Sequence, residues 1–243
     1  MIYIIGIGPG GDLNYLTMKA NRIIEEEVNT GIYIGEMICD DIKNIFQNKA
    51  LITGDISRKR VLKNITSSIS NEDNLAILMP GDSSFYSGQY GEQFMLHEYV
   101  ELFKKRNYKY EIIPGITALN AICAKLSIDL TSFSSNQNVY ITSAERIRDT
   151  NQYNPDKLTK VLSTRPNIVF YQSYRDWEII RNLLIEENFD PNTRIVFAYK
   201  VSWNDEKIID TNLKEADIDI ESENLEKHTI IVILPKHKLN SKC

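Results

Sequence analysis

Apolar residues fall in short β-branched runs that alternate with longer amphipathic stretches. Ile2-Tyr3-Ile4-Ile5 is the first run, and Gly6-Ile7-Gly8-Pro9-Gly10-Gly11 follows it at once. Thr17 is placed to cap a helix to about Val28, and Ile32-Tyr33-Ile34 reads as the next strand. A polar helix over 41–48 leads to a short strand at Ala50-Leu51-Ile52. Val61, Leu62, Ile65 and Ile69 recur close to helical spacing across Arg58 to Ser70. Leu75 to Met79 is a compact apolar strand, broken by Pro80-Gly81-Asp82-Ser83-Ser84. A helix from about Gln89 to Lys105 follows, then a strand at Tyr110 to Ile113 that ends in Pro114-Gly115. Thr117 opens an Ala-rich helix to about Leu126. Strand, glycine turn and helix thus recur three times, the pattern of a parallel sheet covered by helices.

Around Asp129 to Asn138 the composition turns to Ser, Asn and Gln, which reads as a linker. Strands resume at Val139 to Ile141, Ile168 to Phe170, Arg194 to Tyr199, Lys207 to Ile209 and Thr229 to Leu234. Helices fit Pro155 to Leu162 and Trp177 to Glu187. The late strands follow one another closely, so this half is expected to carry a mixed sheet with an antiparallel edge. Lys236 to Cys243 is polar and reads as a frayed end.

The 243 residues suffice for one large domain or two ordinary ones. A hydrophobic share of 42% against 25% charged is a globular balance. The net charge of −5 argues against a general nucleic-acid binder but leaves room for a local basic pocket. Cys39, Cys123 and Cys243 are scattered, with no metal-ligand spacing, and fit a reducing cytoplasm. Glycine interrupts the first apolar run too early for a signal peptide, and no run is long enough to span a membrane. His97, His228 and His237 pair with no nucleophile and read as structural or surface residues.

A buried strand that ends in glycine lets a ligand approach the backbone. Gly6, Gly8 and Gly11 satisfy the dinucleotide fingerprint G-x-G-x-x-G, with Glu36 near the distance expected for a ribose contact. That reading wants the helix to start within the glycines, whereas Asp12 to Leu16 intervene before Thr17, and Pro9 stiffens the turn. The other reading joins all three breaks. In a parallel sheet they meet at one edge and make a narrow slot lined by backbone, suited to a ligand such as an adenosine.

Four motifs in register now carry a likeness. They are Ile4-Ile5-Gly6-Ile7-Gly8-Pro9-Gly10, with Leu16-Thr17 and Lys19-Ala20 after it, and Gly81-Asp82-x-x-Phe85-Tyr86. Ile112-Ile113-Pro114-Gly115-Ile116-Thr117-Ala118 and the stretch from Tyr199 to Ile208 complete the set. Through them nearly the whole chain resembles the tetrapyrrole (precorrin) methyltransferases. The resemblance implies two α/β domains, 1–115 with a mostly parallel sheet and helices on both faces, and 116–243 with a mixed sheet. It implies a cytoplasmic homodimer that uses S-adenosylmethionine, releases S-adenosylhomocysteine, and needs neither metal, nucleic acid nor membrane. The methyl donor would sit in the cleft between the domains. Its contacts, carried over residue by residue, would be Pro9, Pro80, Gly81, Asp82, Phe85, Tyr86, Thr117, Ala118, Gln172 and Val201.

The same resemblance implies a small-molecule tetrapyrrole acceptor rich in carboxylates, with Gly8, Arg58 and Arg60 as candidate contacts and Lys59, Arg146 and Arg148 as further basic ones. By themselves Arg58-Lys59-Arg60 read as a solvated helix start, and Trp203 as core or dimer packing. Tyr33-Ile34-Gly35, Gly91-Glu92-Gln93, Ser135 to Thr142 and Ser202 to Ile208 lean towards the enzymes that methylate C11 of precorrin-4 or cobalt-precorrin-4. Departures point elsewhere. Ser83 stands where the family has proline, Ser87 where it has glycine, and Gly10-Gly11-Asp12 replaces Gly-Asp-Pro. Thr142 is followed by Ser143-Ala144-Glu145 in place of the C11 group's basic strand end. Alternatives are a C20 or C5/C15 acceptor, a diverged acceptor, a nucleoside-binding sensor or assembly subunit, and an NAD-binding oxidoreductase.

Overall fold

The computed structural model describes residues 1–10, 13–35, 37–54, 57–71, 73–85, 95–132, 137–143 and 155–235. The chain divides into two compact units: Met1–Ala121 with Ser202–Asn204, and Ile122–Val201 with Asp205–Cys243.

The first unit is built on five strands: β1 (Ile2–Gly6), β2 (Thr30–Tyr33), β3 (Ala50–Ile52), β4 (Leu75–Met79) and β5 (Tyr110–Ile113). They lie in the order β3-β2-β4-β1-β5, and every pairing is parallel. Every residue of β1 and β4 is buried, as expected of central strands covered on both faces. The side chains of β1 divide by parity. Tyr3 and Ile5 join a core with α1 (Met18–Arg22), the turn at Ile23–Glu27 and α2 (Asp40–Ile45). Ile2 and Ile4 join another with α3 (Arg58–Ser70) and α4 (Leu96–Lys105). The helices therefore lie on both faces of the sheet, as the strand–turn–helix recurrence predicts.

Thr17 caps α1, its side chain accepting the Ala20 N–H at 3.2 Å. The helix does not stay regular to Val28. From Ile23 it widens into a π turn, closed by Val28 N–H donating to the Ile23 carbonyl at 3.1 Å. Lys49 stabilises this end by donating to the carbonyls of Ile24 and Glu25. The helix expected from Gln89 is described from Leu96, and residues 89–94 lie outside the described residues. Helix α5 (Ala118–Lys125) follows β5, and the boundary between the units falls within it.

The second unit carries β6 (Val139–Ser143), β7 (Asn167–Tyr171), β8 (Arg194–Tyr199), β9 (Lys207–Asn212) and β10 (Thr229–Leu234) in the order β6-β7-β10-β8-β9. Only β6 and β7 pair in parallel, so the sheet is mixed as expected. Its core sets Leu158 and Leu162 of α6 (Pro155–Ser163), and Trp177, Ile180 and Leu184 of α7 (Trp177–Glu186), against Ile168, Phe170, Ile195, Phe197 and Ile231. One element escapes the sequence pattern, the short helix α8 (Ala216–Ile220). Its Ala-Asp-Ile-Asp-Ile alternates like a strand. Tertiary bonds decide the matter, with the Trp177 indole donating to Asp217 at 2.7 Å and Arg181 pairing with the same carboxylate at 2.8 Å.

Candidate functional site

Strand β1 lies between β4 and β5, all three run the same way, and each ends in one of the glycine breaks. Their loops therefore meet at the carboxyl edge of the sheet, the usual place for a ligand in such folds. The meeting is a set of hydrogen bonds. Ile7 N–H donates to the Met79 carbonyl at 2.9 Å, and Gly8 and Gly81 exchange N–H and carbonyl in both directions. Asp82 joins the third loop to the second. One of its oxygens accepts the Ser84 amide at 2.7 Å, and the other accepts the Gly115 amide at 2.8 Å. A carboxylate with both oxygens taken by backbone amides makes strong, charge-assisted bonds and fixes two loops together.

Close packing explains one glycine and backbone conformation another. A Cβ on Gly115 would stand 2.1 Å from the Gly81 carbonyl oxygen, so only glycine lets the loops meet this closely. Gly81 has φ +70°, a conformation that side chains resist, yet a Cβ there would meet nothing within 4 Å. Among the described residues, the Cα of Gly81 thus faces open space, while its N–H and carbonyl stay bonded to Gly8. Beside it, the Ser83 hydroxyl is buried, with no hydrogen-bond partner among the described residues. The open side at Gly81 leaves room for a ligand to come close to the backbone.

The expected site residues sort as follows. Gly8, Pro9, Gly81 and Asp82 come together, with Gly8 and Asp82 buried and Pro9 half-buried. Pro80 and Phe85 are exposed on the second loop. Thr117 begins α5, its Oγ accepting the Asn120 amide at 3.1 Å, and Ala118 is the first helical residue. Arg58 and Arg60 open α3, which also starts from the carboxyl edge because it follows a parallel strand. Arg60 is exposed, whereas Arg58 pairs with Glu98 of α4 at 2.6 Å. The Met95 amide and then Arg58 hold the Glu98 carboxyl below its ordinary value of 4.5. In the second unit, Gln172 is exposed just past β7 with φ 52°, and Val201 is buried just past β8. Both strands run antiparallel to β10, so these two positions share one edge of that sheet. Glu36, Tyr86, Ser87, residues 11–12, 91–93, 135–136 and 144–145, and Arg146, Arg148 and His237 lie outside the described residues.

Trp203, read from the sequence as core or dimer packing, does pack against a core, but the sequence does not disclose what it bonds. It belongs to the first unit, packs against the Tyr3–Ile5 core, and its indole N–H donates to the Pro9 carbonyl at 3.2 Å. Its ring covers Gly10, where an added Cβ would stand 3.3 Å away. No sequence spacing could link positions 194 residues apart. Among the described residues, no group of three acidic, His or Cys side chains could hold a metal, and no helix is long and apolar enough to cross a membrane.

Comparison with known proteins extends this picture. The chain is 25% identical over 234 residues to the cobalt-precorrin-4 C(11)-methyltransferase of Methanocaldococcus jannaschii, covering 96% of this chain and 86% of that one. It is 29% identical over 220 residues to a probable cobalt-precorrin-7 C(5)-methyltransferase of the same organism, with 88% and 90% covered. Its fold matches a solved cobalt-precorrin-4 methyltransferase with a TM-score of 0.82 at 22% identity, over 96% of this chain and 93% of the other. The model of the tetrapyrrole (corrin/porphyrin) methylases matches residues 1–217, so the three pinned loops belong to a pattern that runs through both units. By that match the chain is a member of the tetrapyrrole methylase family.

Proposed function

We propose that the protein transfers a methyl group from S-adenosylmethionine to a carbon of a corrin-pathway tetrapyrrole, at C11 of precorrin-4 or cobalt-precorrin-4. The observation that carries this reading is the loop cluster at the end of β1, with the Cα side of Gly81 left open among the described residues. S-adenosylmethionine supplies a methyl group on a positively charged sulfur, already activated for displacement. What the chain must do is hold and align the two reactants and keep water out.

Its residues are suited to that work. Pro9, Gly81, Asp82, Thr117 and Ala118 form a wall made mostly of backbone, fixed by the Asp82 carboxylate, so little rearrangement is needed on binding. Pro80 and Phe85 present exposed surface beside it. Arg60 places positive charge at the same sheet edge, where an acceptor's carboxylates would find it, with Arg58, paired to Glu98, two residues before it. The test is a panel of precorrin intermediates incubated with labelled methyl donor, the new methyl being located by NMR. Transfer to C11 of a precorrin-4 acceptor is the expected result, and no transfer to any tetrapyrrole would overturn it.

The 29% identity to a C(5)-methyltransferase favours a second reading, in which another ring carbon accepts the methyl group. The same panel separates the two by the position labelled.

A further inference from the structure

Trp203 stands on a short return of the chain between β8 and β9. The backbone leaves the second unit after Val201, gives Ser202–Asn204 to the first, and re-enters the second at Asp205. Lys200 at φ 45° and Ser202 at φ 71° hold the left-handed conformation that side chains resist. Such strain persists only where surrounding contacts impose it.

Those contacts lie at the two ends of the return, within the second unit. The Lys200 N–H donates to the His228 carbonyl at 3.1 Å, and its ammonium lies 5.0 Å from the centroid of the Tyr199 ring. The same ammonium donates to the Asp205 carboxylate, so an ion pair closes the segment across its mouth. Past Asp205 the chain is tied twice more. Glu206 accepts from Lys125 of α5 at 2.7 Å, and Lys207 pairs with Glu223 at 3.0 Å. A short segment with both ends fixed has little freedom left, and Trp203 is one of the four residues between those ends.

We propose that Lys200 and Asp205 are positioning residues, whose ion pair fixes the returning segment so that the Trp203 indole stays on the Pro9 carbonyl and over Gly10. The pair acts on ligand binding only through Trp203 and touches neither reactant. The inference rests on the reading of the Pro9 loop as part of the methyl-donor site.

The test uses protein labelled with 5-fluorotryptophan, which gives one fluorine resonance for each of the two tryptophans, Trp177 and Trp203. Trp203→Phe assigns them. Lys200→Met, which keeps the length and drops the charge, and Asp205→Asn are compared with the unsubstituted protein, with Lys200→Arg as the conservative variant. In Lys200→Met and Asp205→Asn the Trp203 resonance should move towards its position in the unfolded protein while that of Trp177 stays. Lys200→Arg should restore it. Affinity for S-adenosylhomocysteine, read by calorimetry, should fall about twofold to fivefold in the first two variants and recover in Lys200→Arg. The fall is small because the Asp205 carboxylate is 58% exposed. A Trp203 resonance that stays in place, or an equal shift at Trp177, means that the pair merely supports the fold, and overturns the proposal. So does an unchanged affinity beside a shifted Trp203 resonance. If the unsubstituted protein does not bind S-adenosylhomocysteine, the methyl-donor reading falls, and the fluorine resonances still decide whether the pair positions Trp203.

Discussion

Gly115 and Gly81 are glycines for different reasons, close contact at one and a left-handed backbone at the other, and substitutions should separate them. Gly115→Ala drives a Cβ to within 2.1 Å of the Gly81 carbonyl, so the loops must part. We expect a loss of about 3 kcal/mol in stability, measured by urea unfolding, with loss of binding following from it. Gly81→Ala meets no atom but must hold a left-handed backbone, at a cost of about 1–2 kcal/mol. Its methyl group would enter the open space proposed for the methyl donor. Affinity for S-adenosylhomocysteine should therefore fall more than tenfold while the protein stays folded. If Gly81→Ala binds S-adenosylhomocysteine normally, the ligand lies elsewhere. Asp82 shows why side-chain roles are hard to read from sequence. Gly-Asp alone is an ordinary turn signal, and the function of its carboxylate depends on an amide 33 residues away.

Among the elements, the start of α4 carries a pH signature, set first by the Met95 amide on Glu98 and then by the ion pair to Arg58 of α3. Glu98 is held below its ordinary value of 4.5, so its contribution is fully present above that pH and is lost as the pH falls through its lowered value. Glu98→Gln should melt lower than the unsubstituted protein near neutrality. The gap should narrow steadily on acidification below pH 4.5. A gap independent of pH would show that Arg58 and the Met95 amide do not depend on the charge. The elements themselves were largely legible. Leu75–Met79, Arg194–Tyr199 and Thr229–Leu234 are compact apolar runs between turn residues, and the strands begin and end where those runs do. The π turn at Ile23–Glu27 was not legible, because Ile-Ile-Glu-Glu-Glu suits an α-helix equally well. The widening is seen with Lys49, from the turn before β3, bonding the carbonyls of Ile24 and Glu25. Helix α8 is not legible for the related reason that its partners, Trp177 and Arg181, lie far away in sequence.

Over the whole molecule, the first unit is not one continuous stretch of chain. Ser202–Asn204 returns to it from the far end, and the Trp203 indole both packs against its core and holds the Pro9 carbonyl. Two substitutions separate these contributions. Trp203→Phe keeps a ring over Gly10 and loses the indole N–H, so it should melt close to the unsubstituted protein and bind S-adenosylhomocysteine a few times more weakly. Trp203→Ala removes the ring as well and should cost about 3 kcal/mol or more by urea unfolding. Equal effects of the two would mean that the ring contributes little. The family pattern was legible because its motifs lie within the loops. The closure by Trp203 was not, because it is made in three dimensions.

That returning segment bears on how the protein is made. Strand β1 and its glycine loop leave the ribosome well ahead of Trp203, which follows 194 positions behind Pro9. At ordinary translation speeds that interval is about 10–40 s. Once β5 has emerged, the nascent first unit can pair its five strands, yet until Trp203 follows its opening loop lacks the indole that covers Gly10. A chain cut short before residue 203 would be left in that uncapped condition permanently, with part of its core facing the cell.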